Sequence, residues 1–424
     1  MNLKSVFGLG RAAIMAGSLF LLVAAQPQGD LDKATKTDVV QEVEKMLEAN
    51  AYVPGADFTK IDGYLASEKE KIDKADTDDA FRNAVSGALD KLGYSHIVLF
   101  TPAMVEQRRN SAAVGIGILA QYKDETLIVK SVFPATPAEE AGLEPGDTIT
   151  EVDGKKPEFA GAMVGDEGTK VKIKFTKFEG GEKDATLTRR KFSTVFPPTL
   201  TWIDKSSAVL KIPTFDLSYD RDKVESLMVE AAKAKNLVLD LRGNGGGTVI
   251  SMCHLLGFFI PADRPIGTFV SKKVVERYVE DTHGDTKDVT KIASWAPNKV
   301  KPQRSKIPVY SGHLAVLVNS GSGSASEIAA EALKENLQAP IVGEKSAGKV
   351  LVSVMAQLPH GYQLQYPITD YVSAQGLRLE NNGVTPDVEA KDPRVSKAGR
   401  PDDPVDKAVA LLHRVQLREE RFGN

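Results

Sequence analysis

The sequence has almost no cysteine, no excess of basic residues and no metal-binding histidine motif, and each absence excludes a class of protein. Cys253 is the only cysteine in 424 residues, so no disulfide can form within the chain. The 54 Lys and Arg residues do not outnumber the 57 Asp and Glu residues, which argues against a nucleic-acid-binding protein. The six histidines are scattered without a His-Glu-x-x-His motif, so we predict no metal site. The 42% apolar and 26% charged residues are typical of a globular protein.

An apolar segment at the N-terminus has the layout of a secretory signal. Lys4 and Arg11 precede an uncharged run of 14 residues at 12–25, which ends in small side chains. A membrane-spanning helix needs about 20 apolar residues, so this run is short of that length, and no other stretch is long enough either. We therefore predict a signal peptide over residues 1–25 and an exported protein, in the periplasm, in the cell envelope or secreted. The alternative is that the segment stays uncleaved as a membrane anchor.

The hydrophobic spacing changes twice along the rest of the chain. Residues 31–110 carry apolar side chains at helical spacing, which predicts a helical N-terminal region. Residues 112–193 have the pattern of short strands and turns. Residues 200–390 alternate strand with helix, which predicts βαβ units and a largely parallel sheet. A polar linker then leads to a predicted amphipathic helix at 403–424.

The segment 112–193 begins with alternate glycines. Such glycines let backbone N–H groups converge on the carboxylate of a peptide C-terminus, while the strand that follows pairs with the peptide. With the hairpin turn at Asp153-Gly154, the segment resembles the PDZ domain embedded in secreted processing proteases. The resemblance implies a peptide-binding PDZ domain, although the helix expected to line its groove, near 159–164, is short. The candidate substrate-binding residues are Gly115, Ile116, Gly117 and Ile118.

A glycine-rich loop follows a predicted buried strand at 240–247, where the sequence is Asp-Leu-Arg-Gly-Asn-Gly-Gly-Gly. A phosphate-binding loop is one interpretation, but Thr248 occupies the third glycine position of a G-x-G-x-x-G motif and no Gly-Lys-Ser/Thr is present. The other interpretation is an oxyanion hole. Glycines leave backbone N–H groups free to point at a developing negative charge, as acyl transfer requires.

Ser324 lies between a predicted buried strand and the start of a predicted helix. N–H groups at a helix start stabilise an alkoxide or an oxyanion, so a serine here can serve as a nucleophile. The purely structural alternative is a capping box between Ser324 and Glu327. A Gly-x-Ser-x-Gly elbow is not present, because Ser322 and Ser326 take the glycine positions. The chain is therefore not an ordinary α/β-hydrolase.

Four motifs in a fixed order, together with the PDZ-like segment, resemble the tail-specific, C-terminal processing serine peptidases. The motifs are the glycine loop at 243–247, Ser-Ala-Ser-Glu at 324–327, Gly-Lys at 348–349 and Gly-Val-Thr-Pro-Asp at 383–387. The resemblance implies that Ser324 is the nucleophile and that Ala325 supplies one oxyanion N–H group. It implies a second donor in the glycine loop, at Gly246 or alternatively at Gly245.

The same resemblance offers two candidates for the general base. One branch of the family pairs the serine with a lysine 25 residues later, and Lys349 has that spacing, although Ser353 replaces the glutamine that usually follows. A lysine base needs burial or positive neighbours to lower its pKa. The other branch, the tricorn-type peptidases, uses a histidine with a helper serine and a glutamate. These correspond to His96, Ser95 and Glu380. The sequence leaves both bases open.

These patterns predict one fold and one function, and they leave one alternative function to be weighed against it. We predict an α/β catalytic domain with βαβ units at 200–390, a PDZ domain of short strands and a helical N-terminal region. The predicted function is an exported serine endopeptidase that cleaves unfolded or C-terminally exposed polypeptides through an acyl-enzyme, with PDZ-assisted substrate binding. No cofactor, nucleic acid or membrane is implied, apart from a signal anchor. The rival is a non-catalytic PDZ-containing peptide-binding protein on a degenerate protease scaffold, which Ser324 and the two candidate bases disfavour.

Overall fold

The computed structural model describes residues 31–157, 163, 165–392 and 401–422. The predicted signal peptide at 1–25 lies outside the described residues, as does most of the expected groove helix near 159–164. No helix within those ranges has the length and apolar character to cross a membrane. The chain divides into two compact units, of which one spans 111–196 and the other contains the segments before and after it.

Helices dominate the N-terminal region, as the apolar spacing predicts. The elements are α1 (Lys33–Asn50), α2 (Ile61–Lys74), α3 (Asp78–Leu89), β1 (Val98–Phe100) and α4 (Pro102–Asn110). The Asp32 carboxylate accepts the Thr35 N–H at 2.6 Å and so caps α1. The hydroxyl of Thr77 caps α3 in the same way. The buried faces of the first three helices share one core with Leu351 and other apolar side chains of the second half of the chain.

The unit at 111–196 is built of short strands, as expected for the PDZ domain. Its elements are β2 (Ala112–Gly115), β3 (Ile118–Lys123), β4 (Thr126–Val132), α5 (Pro137–Glu140), β5 (Thr148–Val152), β6 (Lys170–Thr176), β7 (Glu182–Thr188) and β8 (Arg190–Ser193). Strands β3 to β7 form one antiparallel sheet in chain order, and β2 pairs with β8. Ile116, Leu127 and Phe175 lie in its core.

The second half of the chain alternates strands and helices. Its elements are β9 (Thr199–Trp202), β10 (Ser207–Lys211), α6 (Arg221–Ala231), β11 (Asn236–Asp240), α7 (Val249–Leu256), β12 (Gly267–Ser271), α8 (Lys272–Thr282), α9 (Val289–Trp295), β13 (His313–Val318), α10 (Ala325–Leu337), β14 (Ile341–Gly343), β15 (Val352–Gln357), β16 (Gln363–Ser373), β17 (Val388–Glu389) and α11 (Asp403–Phe422). One six-stranded sheet has the order β17-β14-β13-β11-β10-β9, and its strands are parallel except for the edge strand β9.

Helices cover both faces of this sheet. Successive residues of a strand point to opposite faces, and Leu239 and Val316 accordingly share a core with α6, α7 and α10. Their neighbours Val238 and Ala315 pack instead against α11. This arrangement leaves the C-terminal ends of β11 and β13 side by side, and the glycine loop and the Ser324 segment follow those two ends.

A second sheet, which the sequence analysis did not predict, connects the N-terminal region to the second half. Strand β16 pairs antiparallel with β1, β12 and β15. These strands are short or lie far apart in the chain, so local apolar spacing gives no sign that they pair. The pairing of β1 with β16 fixes residues that directly precede β1, among them Ser95 and His96.

Candidate active site

Ser324 occupies a strained turn between β13 and α10. Its φ angle is +54°, in the left-handed region that costs a serine about 1–3 kcal/mol. Two hydrogen bonds hold the turn, because the Ser324 N–H donates to the Lys349 carbonyl at 2.8 Å and to Glu327 Oε2 at 3.0 Å. The Ser324 hydroxyl lies 3.2 Å from His96 Nε2. The backbone of this residue is therefore fixed while its hydroxyl contacts a histidine.

A chain of hydrogen bonds leads from Ser324 through His96 to a carboxylate. His96 Nδ1 lies 2.7 Å from Ser95 Oγ, and Ser95 Oγ donates to Glu380 Oε2 at 3.1 Å. A hydroxyl has one proton, so Ser95 must accept from His96 Nδ1–H. The other ring nitrogen, Nε2, then carries the lone pair and faces the Ser324 hydroxyl. This tautomer is the one a general base requires.

The surroundings of His96 favour its neutral form. Burial of the imidazole lowers the pKa of His96 to about 4, and the positive charge of Lys349 acts in the same direction. An imidazole with this pKa is unprotonated at neutral pH. His96 is therefore able to accept a proton.

Lys349, the other candidate base, contributes its backbone to the site. Its carbonyl accepts the Ser324 N–H, and its own N–H donates to Glu327 Oε2 at 2.9 Å. The side chain is exposed, and the ammonium has no hydrogen bond or ion pair with the part of the chain that the structure describes. The structure thus brings His96, and not the Lys349 ammonium, within hydrogen-bond distance of the Ser324 hydroxyl.

The glycine loop lies directly against Ser324. Gly246 has a φ angle of +100°, and a Cβ atom there would lie 2.7 Å from Ser324 Cβ, so a larger residue does not fit. The Gly246 N–H donates to Asn244 Oδ1 at 2.9 Å and is thereby engaged. The N–H groups of Gly245 and Ala325 have no partner among the described residues. Of the predicted donors, these two are the ones left free for an oxyanion.

Two family models match this chain. Residues 206–390 match peptidase family S41, and residues 128–177 match a PDZ domain. Residues 206–390 thus belong to peptidase family S41. The predicted family and fold class are thereby confirmed.

Named relatives of this chain include a carboxy-terminal processing protease and a probable serine protease. The carboxy-terminal processing protease CtpA of Bacillus subtilis (strain 168) is 27% identical over 353 residues, which are 80% of this chain and 70% of that protein. A Staphylococcus haemolyticus (strain JCSC1435) protein named "Probable CtpA-like serine protease" is 28% identical over 293 residues, 66% of this chain and 53% of that protein. The chain thus spans about half to seven tenths of these relatives' lengths. The crystal structure of the tricorn protease shares its fold, with a TM-score of 0.51 at 15% identity over 90% of this chain and 37% of that one.

Glu327 connects the S41 motifs to one another, a role that the sequence analysis missed. Its buried carboxylate accepts hydrogen bonds from Ser346 Oγ at 2.5 Å, Gly348 N at 2.7 Å, Lys349 N at 2.9 Å and Ser324 N at 3.0 Å. Burial raises the pKa of Glu327, and these hydrogen bonds oppose that rise. The predicted capping box includes one of the four bonds. The other three donors lie 19 to 22 residues away, where no helical spacing could indicate them.

Glu380 makes a matching connection on the other side of the site. Besides Ser95, it accepts the Val350 N–H at 2.7 Å through Oε2. Asn244 is a further residue that the sequence analysis did not name. It is fully buried, its side-chain amide donates to the Ile212 carbonyl at 2.9 Å, and its oxygen holds Gly246. These two side chains fix the positions of the histidine segment and of the glycine loop.

The candidate peptide-binding loop of the PDZ domain lies within the 111–196 unit. Gly117 has a φ angle of +87°, and a Cβ atom at this residue would lie 2.3 Å from the Thr136 side chain. The side chains of Ile116 and Ile118 are buried in the domain core. The N–H groups of Ile116 and Gly117 donate to no described residue. The loop therefore offers backbone donors rather than side chains.

Proposed function

We propose that this S41 chain is a serine endopeptidase that cleaves unfolded or C-terminally exposed polypeptides through an acyl-enzyme intermediate. The observation that carries the proposal is the hydrogen-bonded chain from Ser324 through His96 and Ser95 to Glu380. Its order provides a nucleophile, a base and two groups that orient the base. The names of the relatives, carboxy-terminal processing proteases, support the substrate class.

In the proposed mechanism, His96 is the base and Lys349 is not. His96 Nε2 takes the proton of the Ser324 hydroxyl as Oγ attacks the peptide carbonyl, and the imidazolium then gives this proton to the leaving amine. The same groups act on a water molecule to hydrolyse the acyl-enzyme. Ser95 accepts from Nδ1–H and so holds the required tautomer, while Glu380 orients Ser95. The exposed Lys349 side chain lacks the desolvation that a lysine base needs.

We assign the oxyanion hole to the N–H groups of Ala325 and Gly245. Ala325 supports this assignment because it begins α10, where backbone N–H groups point out of the helix without intrahelical partners. Gly245 replaces Gly246 in this role because Asn244 already engages the Gly246 N–H. Gly246 contributes in another way: because it has no side chain, the loop can lie directly against Ser324.

We further propose that the PDZ domain binds substrate C-termini and that the protein is exported. The free N–H groups of Ile116 and Gly117 support peptide binding, because a terminal carboxylate needs converging donors. The signal-like pattern at 1–25 supports export.

Digestion of unfolded casein by the full chain and by Ser324→Ala tests the proposal. We expect the variant to lose detectable cleavage with an unchanged thermal midpoint, because the fold does not depend on the hydroxyl. Ser320→Ala is the matched control, since Ser320 is an exposed serine in the same loop, and it should cleave like the unmodified chain. Casein cleavage by Ser324→Ala at the rate of the unmodified chain would contradict the assignment. Peptide binding without any cleavage by the unmodified chain would favour the non-catalytic rival.

A further inference from the structure

Lys349 places a cation beside the nucleophile. Its backbone is hydrogen-bonded directly to the Ser324 N–H at 2.8 Å, so the position of its Cα atom relative to Ser324 is set. The side chain is exposed and forms no ion pair within the described ranges. It is close enough to His96 for its charge to lower the pKa of the imidazole. The Lys349 charge therefore acts on the reaction site without an ion-pair partner among the described residues.

The two carboxylates of the site do not neutralise this cation, because other donors occupy them. Glu327 accepts four hydrogen bonds, from Ser346, Gly348, Lys349 N–H and Ser324. Glu380 accepts from Ser95 and from the Val350 N–H. Both carboxylates are therefore engaged by other donors, which leaves the Lys349 ammonium open to a carboxylate from outside the site.

We propose that Lys349 binds a carboxylate of the polypeptide substrate close to the bond that is cut. This inference rests on the proposed peptidase function and adds a specificity-determining residue to it. An extended residue spans about 3.3–3.6 Å, so a lysine beside the nucleophile reaches carboxylates within the first few residues next to the cut bond. The carboxylate has two sources, the C-terminus of the substrate or an Asp or Glu side chain. An ammonium–carboxylate hydrogen bond is stronger than a neutral one, so it discriminates between a charged and an uncharged group.

Three versions of one short peptide test the proposal on the full chain. The peptide is a sequence cleaved in casein, shortened so that the cut bond lies two residues from its end. The first version has a free C-terminal carboxylate and the second an amidated end. The third is amidated and has Asp as its last residue. The measured quantity is kcat/KM on each version, for the unmodified chain, Lys349→Gln, Lys349→Arg and Lys345→Gln. Lys345 is an exposed lysine in the same loop and serves as the matched control.

The unmodified chain should prefer the free acid to the amide by about tenfold, mainly through KM. Lys349→Gln should abolish that preference, whereas Lys349→Arg and Lys345→Gln should keep it. A preference for the Asp peptide that equals the one for the free acid would assign binding to any nearby carboxylate, and a preference for the free acid alone would assign it to the C-terminus.

Two results would overturn the inference while leaving the peptidase function in place. One is that Lys349→Gln keeps the full preference for the free acid over the amide, or that the unmodified chain shows no such preference. The other is an equal loss of kcat on all three peptides, about 10²–10⁴-fold, which would identify Lys349 as the base. A chain that cleaves neither casein nor any peptide would refute the proposed function itself, and the inference with it.

Discussion

The two segments that could supply the general base contribute different parts of themselves to the site. Residues 95–96 contribute side chains, since the hydroxyl of Ser95 and the imidazole of His96 form the hydrogen-bonded chain to Ser324. Residues 348–350 contribute backbone. Their three successive N–H groups donate to Glu327, again to Glu327, and to Glu380.

This difference shows that a motif can be present for its backbone rather than for its most reactive side chain. In the segment 348–350 the residue types suggest lysine chemistry, whereas the geometry uses the N–H groups to hold two carboxylates in place. Those carboxylates then fix the nucleophile on one side and the helper serine on the other. Replacing residues of each segment separates a role in proton transfer from a role in positioning.

The largest expected effect is the contrast between His96→Ala and Lys349→Ala. Loss of a general base costs about 10²–10⁴-fold in rate, so His96→Ala should reduce kcat by that factor on an amidated peptide. Lys349→Ala should reduce it by less than about tenfold, because its backbone hydrogen bonds remain. The measurement is kcat for both variants side by side, with circular dichroism to check the fold. The opposite order of losses would assign the base to Lys349.

Much of the fold could be predicted from the sequence because its signals are local. The buried strand before Ser324 and the helix after it follow from an apolar run and from helical spacing, and β13 and α10 lie at those places. The end of a helix is harder to predict: α6 stops at Ala231, before the short turn that leads into β11. Helix ends depend on local turns that apolar spacing does not specify.

The sequence could predict those site residues that belong to short motifs. Ser324, Ala325, Ser95 and His96 belong to short motifs that resemble those of the family. Three of the four donors to Glu327 lie 19 to 22 residues away, whereas the engagement of the Gly246 N–H by Asn244 depends on the local conformation of the glycine loop. The Glu327 contacts arise when the start of α10 and the loop after β14 fold next to each other, and no periodicity in the sequence indicates that contact.

A smaller effect is expected from amide replacements of the two carboxylates. In Glu327→Gln, the amide NH₂ must face at least one buried donor that the carboxylate satisfied, and each donor left unpaired costs about 1–3 kcal/mol. We expect a lower thermal midpoint, and a lower kcat because the Ser324 turn loosens. In Glu380→Gln, the pairing with Ser95 weakens, so kcat should fall about 10- to 100-fold with little change in KM.

Thermal midpoints and kcat measured for both amide variants sharpen the comparison between the segments. Glu327→Gln should lose more stability, because the Glu327 carboxylate satisfies four donors, and its bonds from Ser346 and Gly348 are buried. In Glu380→Gln, kcat should fall by more than the small change in thermal midpoint would account for. If the loss of kcat relative to the loss of thermal midpoint were the same in both variants, the two carboxylates would not have the different roles inferred here.

The smallest expected effect is a change in the acidic limb of the pH–rate profile. His96 must be neutral to act as a base, and its pKa is lowered to about 4, so kcat/KM should rise as the pH increases through about 4 and be constant by neutral pH. Removing a nearby positive charge makes protonation of the imidazole easier, which raises the pKa of His96. Lys349→Gln should therefore move the acidic limb to higher pH, whereas Lys345→Gln, a charge removed from the same loop, should move it less. The measurement is kcat/KM on an amidated peptide between pH 3.5 and 9 at constant ionic strength. A shift to lower pH in Lys349→Gln, or activity that rises only in the alkaline range, would contradict the pairing of a neutral His96 with a charged Lys349.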